Sequence, residues 1–228
     1  MSFEPVKKVN YTLYSSAYSI RKKLPLIFKK SVLSFDVETR SVYEKDLREE
    51  AKGYLKEGNP VDLLHKQAKL VENSSGLSHP SIIRTTHFIF GESRDKSHVI
   101  VCDNDELEME LWQMVAEYKG VFLVHNSLFD FKILFQRTGK MPVNFVDTAL
   151  IVKCYINHVD IWKAKTGLKE LMGEYYNPKW TLMNEYEPKN LKDPEFIMYA
   201  AIDGAATFYL WEMIQEEVGY ELPYKIDH

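Results

Sequence analysis

The chain has 228 residues, 45% hydrophobic and 27% charged, enough for one sizeable core, and no apolar run approaches the ~20 residues that span a bilayer. Its net charge of -4 conceals a basic start: residues 1–30 carry seven Lys or Arg against Glu4 alone, leaving 22 basic and 32 acidic residues elsewhere. So acidic a body excludes a broad electrostatic footprint for nucleic acid, and phosphate binding has to be local, through the basic arm, a groove or metal ions.

Residues 1–30 read as a basic N-terminal extension, without the apolar stretch of a secretory signal. Residues 31–40, apolar and β-branched, read as a short buried strand that carries Asp36 and Glu38. In a strand i and i+2 share a face, so the two carboxylates project together and repel unless a cation or a proton relieves them. Tyr43, Leu47, Ala51 and Tyr54 keep helical spacing, Gly58-Asn59-Pro60 breaks it, and Val61, Leu64, Ala68 and Val71 resume it. Residues 42–72 therefore read as a helical hairpin inserted after the first strand.

Strands are expected over residues 85–90 and 98–102, around a hairpin loop at 91–96. A helix over 106–118 follows, capped by Asp103 or Asp105 and ended by Gly120. Val121–Val124 is another buried strand, 129–137 a helix, 143–146 a strand and 148–155 a helix. Residues 166–172 begin a short helix, and 178–188 read as a loop carrying Trp180 and Tyr186, which could stack on bases but more often pack. Asp193-Pro194-Glu195 supplies an N-cap, a first-turn proline and a first-turn acid for a helix reaching about Val218, before Gly219. Residues 220–228 are a tail. Cys102 and Cys154 have neither disulfide nor zinc spacing, so a cytoplasmic setting is expected, the host cytoplasm for a viral chain. A hairpin followed by alternating β and α implies an α/β fold, a mixed central sheet covered by helices.

Two further acids fall where they could join the first pair. Asp130 lies in the first turn of a helix that directly follows the strand Val121–Val124. Tyr199 and Asp203, four apart, share one face of the last long helix, and alanines at 200, 201, 205 and 206 let that helix approach the sheet closely. Four carboxylates on three elements suit hard divalent cations, which prefer oxygen ligands and serve phosphodiester cleavage in pairs.

These residues resemble the DEDD 3′→5′ exonucleases, in the tyrosine-bearing subgroup. The family's D-x-E motif matches Asp36-Val37-Glu38, with Thr39 following as in the proofreading domains of family A DNA polymerases. N-x-x-[FY]-D matches Asn126-Ser127-Leu128-Phe129-Asp130, and Y-x-x-x-D matches Tyr199 to Asp203. Asp147-Thr148 and the stretch from Lys165 to Lys169 also look like family features. The resemblance implies a ribonuclease-H-like fold over residues 31–219, two divalent metal ions, Mg2+ or Mn2+, and release of nucleoside monophosphates from single-stranded DNA 3′ ends. It makes Asp36, Glu38, Asp130 and Asp203 metal ligands and Tyr199 the residue that positions the water. It puts Asn126 and Phe129 beside the terminal nucleotides and Thr39 near the terminal sugar. His125 is read as structural, because the family's histidine subgroup carries its histidine where this chain has Tyr199. Asp147 is read as a support for the site or a helix cap.

The expected activity is stand-alone proofreading for a separate DNA polymerase, since the chain leaves no room for a polymerase domain after the third motif. The alternatives are RNA 3′-end processing resembling RNase D, and a catalytically silent nucleic-acid-binding module of the same fold.

Overall fold

The computed structural model describes residues 3–41, 83–156, 166–182 and 188–219. The expected helical hairpin at 42–72, Tyr186 and the tail at 220–228 lie outside them. The chain divides into two compact units, Met1–Glu38 with His87–His228, and Thr39–Thr86. Of the second unit, the described parts are residues 39–41 and 83–86, each a strand end.

The first unit is built on a six-stranded mixed sheet. In chain order the strands are β1 (Asn10–Tyr14), β2 (Val32–Ser41), β3 (Ile83–Ser93), β4 (Lys96–Val101), β5 (Val121–Val124) and β6 (Asn144–Asp147). Their spatial order is β1-β4-β3-β2-β5-β6. β1 runs parallel to β4, β3 antiparallel to β4, and β2, β5 and β6 parallel to one another. The helices are α1 (Ala17–Ile27), α2 (Asp105–Glu117), α3 (Leu128–Thr138), α4 (Thr148–Ile156), α5 (Leu168–Met172), α6 (Pro178–Thr181) and α7 (Pro194–Val218). The expected α/β architecture, a mixed sheet flanked by helices, is the one observed.

Several local expectations need correction. The stretch 1–30, expected as a basic extension outside the fold's domain, contributes β1 to the sheet and α1 behind a Ser16 cap, whose Oγ accepts the Ser19 N–H at 3.3 Å. The expected loop at 91–96 is largely strand, because β3 runs to Ser93 and β4 starts at Lys96. Asn104, rather than Asp103 or Asp105, caps α2, with Oδ1 accepting the Leu107 N–H at 2.9 Å. That helix ends at Glu117, before Gly120. The start of the expected loop at 178–188 is a single helical turn, α6, capped by Asn177.

Alternation along β2 divides the core. Leu33, Phe35 and Val37 are buried, and Phe35 packs edge-on against Trp112 of α2 with ring centroids 6.0 Å apart. Ser34, Asp36 and Glu38 take the opposite face, towards α7. Two serine hydroxyls stitch that helix to the sheet. Ser34 Oγ donates to the Gly204 carbonyl at 2.6 Å and accepts the Gly91 N–H at 2.9 Å. Ser97 Oγ donates to the Ala201 carbonyl at 2.7 Å. A Cβ on Gly91 would collide with Ser34 Oγ and lie 2.5 Å from the Gly204 carbonyl oxygen, so this approach requires glycine. Ala200, Ala201, Ala205 and Ala206 are fully buried, as their spacing implied. Asp193 caps α7 at the Glu195 N–H, and Gly219 closes the helix.

Candidate metal centre

The close seat of α7 delivers Asp203 to the end of β2. One oxygen from each of Asp36, Glu38 and Asp203 lies within 4.8 Å of the others, the one such acid group among the described residues. These three line an open cleft of about 480 Å³ with Asn126, Phe129, Asp130 and Tyr199. Asp130 is outside the three-oxygen group but lines the same cleft from the first turn of α3. Its Oδ1 is buried without a hydrogen-bond partner.

The electrostatics are those of a site where clustered negative charge outweighs the nearby Lys169. Burial, resisted by the Val37 backbone hydrogen bond and then by Lys169, pushes Asp36 up to about 6. Burial and the Asp36 charge push Asp203 up to about 8, against the pull of Lys169, Trp180 and Tyr199. Burial, then repulsion from Asp36 and Asp203, pushes Glu38 well up, and burial with Asp36 does the same to Asp130. An orphaned buried carboxylate oxygen beside three clustered acids fits hard divalent cations, with Asp36, Glu38, Asp203 and Asp130 as the oxygen donors.

The loop after β5 is shaped by Asp147, at the end of β6. Its Oδ1 accepts the Asn126 N–H at 3.1 Å and its Oδ2 the Ser127 N–H at 2.8 Å. Oδ1 also accepts the Ala149 and Leu150 N–H groups, so one carboxylate caps α4 and holds Asn126 in a left-handed turn with φ 67°. Burial acts to raise its pKa, but the donors from Ser127 and Asn126 outweigh it and keep the group ionised. Of the two expected roles of Asp147, the helix cap is the one observed, and the same carboxylate braces the loop that leads into α3. His125 is held structurally, with Nε2 2.8 Å from the Thr166 carbonyl and Nδ1 3.0 Å from Thr148 Oγ1. Burial lowers its pKa, which leaves the ring neutral near pH 7. Thr39 follows Glu38 on β2, where the second unit begins.

Two residues have contacts at the site that their readings in the sequence, packing for Trp180 and a family-like stretch for Lys169, did not include. Lys169 of α5 donates from Nζ to the Tyr199 hydroxyl at 2.8 Å, and burial lowers its pKa against the pull of the acids. Burial and the surrounding carboxylates push Tyr199 far up, so its hydroxyl stays protonated. Trp180 of α6 is buried, and its indole N–H donates to Asp203 Oδ1 at 3.1 Å. The Asn177-Pro178 pair was a usable sign of a helical turn there, but nothing local announced the indole's partner.

No protein-family model and no curated protein matches the chain. Solved structures do match its fold. Brucella melitensis NrnC with bound Mg2+ is similar at a TM-score of 0.52 and 13% identity, covering 93% of this chain and 82% of NrnC. The EXO domain of Aedes aegypti Nibbler is similar at 0.58 and 11% identity, covering 95% and 93%. Escherichia coli RNase D, an exoribonuclease involved in structured RNA processing, is similar at 0.53 and 11%, covering 92% of this chain but 46% of RNase D. These likenesses establish the expected ribonuclease-H-like fold. No described helix is long and apolar enough to cross a membrane.

Proposed function

We propose that the chain is a metal-dependent 3′→5′ exonuclease acting on single-stranded nucleic acid ends. The observation that carries this reading is the oxygen cluster of Asp36, Glu38 and Asp203, with the Tyr199 hydroxyl hydrogen-bonded beside it. Divalent cations held there supply the Lewis acidity that two-metal phosphodiester hydrolysis uses. Tyr199, fixed by Lys169, presents a neutral hydroxyl that orients the attacking water. Phe129, half-buried in the cleft wall, offers a ring against the terminal base, and the exposed Asn126 lies beside it. Thr39 is assigned to the terminal sugar by the family resemblance alone.

Two substrates have support. The Asp36-Val37-Glu38-Thr39 motif favours DNA and proofreading beside a separate polymerase in the cytoplasm. The likeness to RNase D favours RNA 3′-end processing. The sugar is decided by groove geometry around a 2′-OH. The test is digestion of 5′-labelled DNA and RNA oligonucleotides of matched sequence with Mg2+ or Mn2+, by wild type and Asp36→Ala. Stepwise shortening from the 3′ end by wild type alone is expected, and the faster substrate identifies the sugar. Undiminished digestion by the variant, or none by wild type on either substrate, would overturn the proposal. Co-purification with a polymerase tests the partner separately.

A further inference from the structure

Trp180 packs as a core residue, 2% exposed with its ring 5.5 Å from that of Tyr176. A buried indole N–H needs an acceptor, and a backbone carbonyl would serve. Its acceptor is instead Asp203 Oδ1, on one of the three clustered carboxylates. We propose that Trp180 is a positioning residue for the metal centre, its N–H fixing the rotation of the Asp203 carboxylate in the orientation that receives a cation. This role rests on the metal-dependent function proposed above.

The terminal torsion of an aspartate is broad and roughly two-fold, so a carboxylate on a helix does not choose one plane unaided. A donor on one oxygen removes that freedom before the cation arrives, which is how outer hydrogen bonds tune metal ligands. The donor is itself firmly mounted. Residues 166–182 are tied at Thr166 to His125, at Tyr175 by the Val6 N–H at 2.7 Å, and at Tyr176, whose hydroxyl donates to the Arg94 carbonyl at 2.7 Å. The same segment carries Lys169, so it holds both Tyr199 and Asp203 of α7 from outside the helix.

The test measures Mn2+ binding by electron paramagnetic resonance on the full chain, as wild type, Trp180→Phe and Trp112→Phe. Trp112 is equally buried but packs against Phe35 and Phe88 on the other side of β2, which controls for the loss of a core indole. Trp180→Phe should weaken Mn2+ binding about 10-fold or more, and Trp112→Phe should leave it within about 2-fold. The metal concentration for half-maximal activity should rise in step, while the rate at saturating metal changes little. Equal Mn2+ affinity in wild type and Trp180→Phe, or an equal loss in both variants, would overturn the role. Should Trp180→Phe not fold, the wild-type indole N–H resonance of Trp180 decides, assigned by removing Trp112, Trp162 and Trp211 in turn. It should shift with Mg2+ and in Asp203→Asn, and a resonance unmoved by both overturns the role. Wild type that binds no Mn2+ sinks the metal-dependent function itself. Wild type that binds Mn2+ and digests 3′ ends, beside an unaltered Trp180→Phe, sinks the positioning role alone.

Discussion

Stripping the metal should make the protein less stable as the pH rises, opposite to the behaviour of a protein held together by ionised carboxylates. Asp203 has its folded-state pKa raised to about 8 and Asp36 to about 6, both from 3.8. A raised acid is protonated in the folded chain while the unfolded chain has already lost its proton. Its stability contribution is thus complete below about pH 4 and declines as the pH climbs to the folded value. Between pH 5 and 7.5 the unfolded chain has already ionised these acids while folded Asp36 and Asp203, with Glu38 and Asp130 raised beside them, still titrate, a loss on the order of a few kcal/mol. For a chain of this size that is a fall in Tm of roughly 10 °C. The assay is thermal unfolding with a chelator, across that range, of wild type and Asp203→Asn, each repeated in excess Mg2+. Chelated wild type should lose Tm with rising pH, and Asp203→Asn should lose less. Mg2+ should restore wild type at pH 7.5 and do little at pH 5, because the ligands must shed protons to bind it. A chelated Tm that holds or rises from pH 5 to 7.5, or an equal Mg2+ increment at both ends, would refute the repulsive cluster.

Gly91→Ala should cost about 2 kcal/mol by forcing Ser34 and α7 away from β3, and the displaced Asp203 should lower activity by about 10²-fold. Chemical denaturation and rate measurements on one preparation check both, and a variant with native stability and activity would mean that α7 is less closely seated. Tyr199→Phe should cut kcat by about 10²-fold while leaving Tm and Mn2+ affinity near wild type, and a lost Mn2+ affinity would instead make the hydroxyl part of the cation site. Glu92 is held at about 2: burial acts to raise it, but donors from Lys30 at 2.6 Å, Lys96 at 2.8 Å and His98 at 3.0 Å prevail. Glu92→Gln should cost about 1–2 kcal/mol at pH 7 after screening at the half-exposed lysines. A lowered acid stabilises above its unfolded pKa, so that difference should shrink as the pH falls from 5 towards 2, and a constant difference would point to packing instead.

The parts of the fold legible in the sequence were those whose cause is local. Asp193-Pro194-Glu195 begins α7 by side-chain and backbone chemistry within three residues, and Gly219 ends it as simply. Alternation along β2 announced two carboxylates on one face before any partner was known. β1 was not visible, because five residues with no buried member and no alternation become a strand only by pairing with β4, 86 residues further on. Asn104 won the α2 cap from two neighbouring aspartates of similar capping strength, a choice that depends on how the chain leaves β4. At the site, Asp36, Glu38, Asp130 and Asp203 were readable as an acid set because like charges at those spacings need an explanation. Lys169 and Trp180 were not, since their hydrogen-bond partners lie 30 and 23 residues away and only packing brings them together.

The same contrast explains why α7 has to be fastened so closely. Bringing Asp203 to Asp36 and Glu38 sets their carboxylate oxygens within 4.8 Å of one another, and that repulsion acts to push the helix off the sheet. The opposing contacts are nearly all uncharged: the Ser34 and Ser97 hydroxyls on helix carbonyls, the Gly91 contact and the buried alanine face. Each serine bond contributes only about 1 kcal/mol, so burial of the helix has to supply most of the restraint. A charge-neutralising contact at Asp203 would relieve the repulsion more directly, but it would also occupy the oxygens that a cation needs. Trp180 and Lys169 avoid that conflict in different ways, one by a neutral donor to a single oxygen and the other by binding the Tyr199 hydroxyl. The repulsion that survives is what a divalent cation would relieve, so the stability lost as the acids ionise and the chemistry proposed for the site have one electrostatic origin.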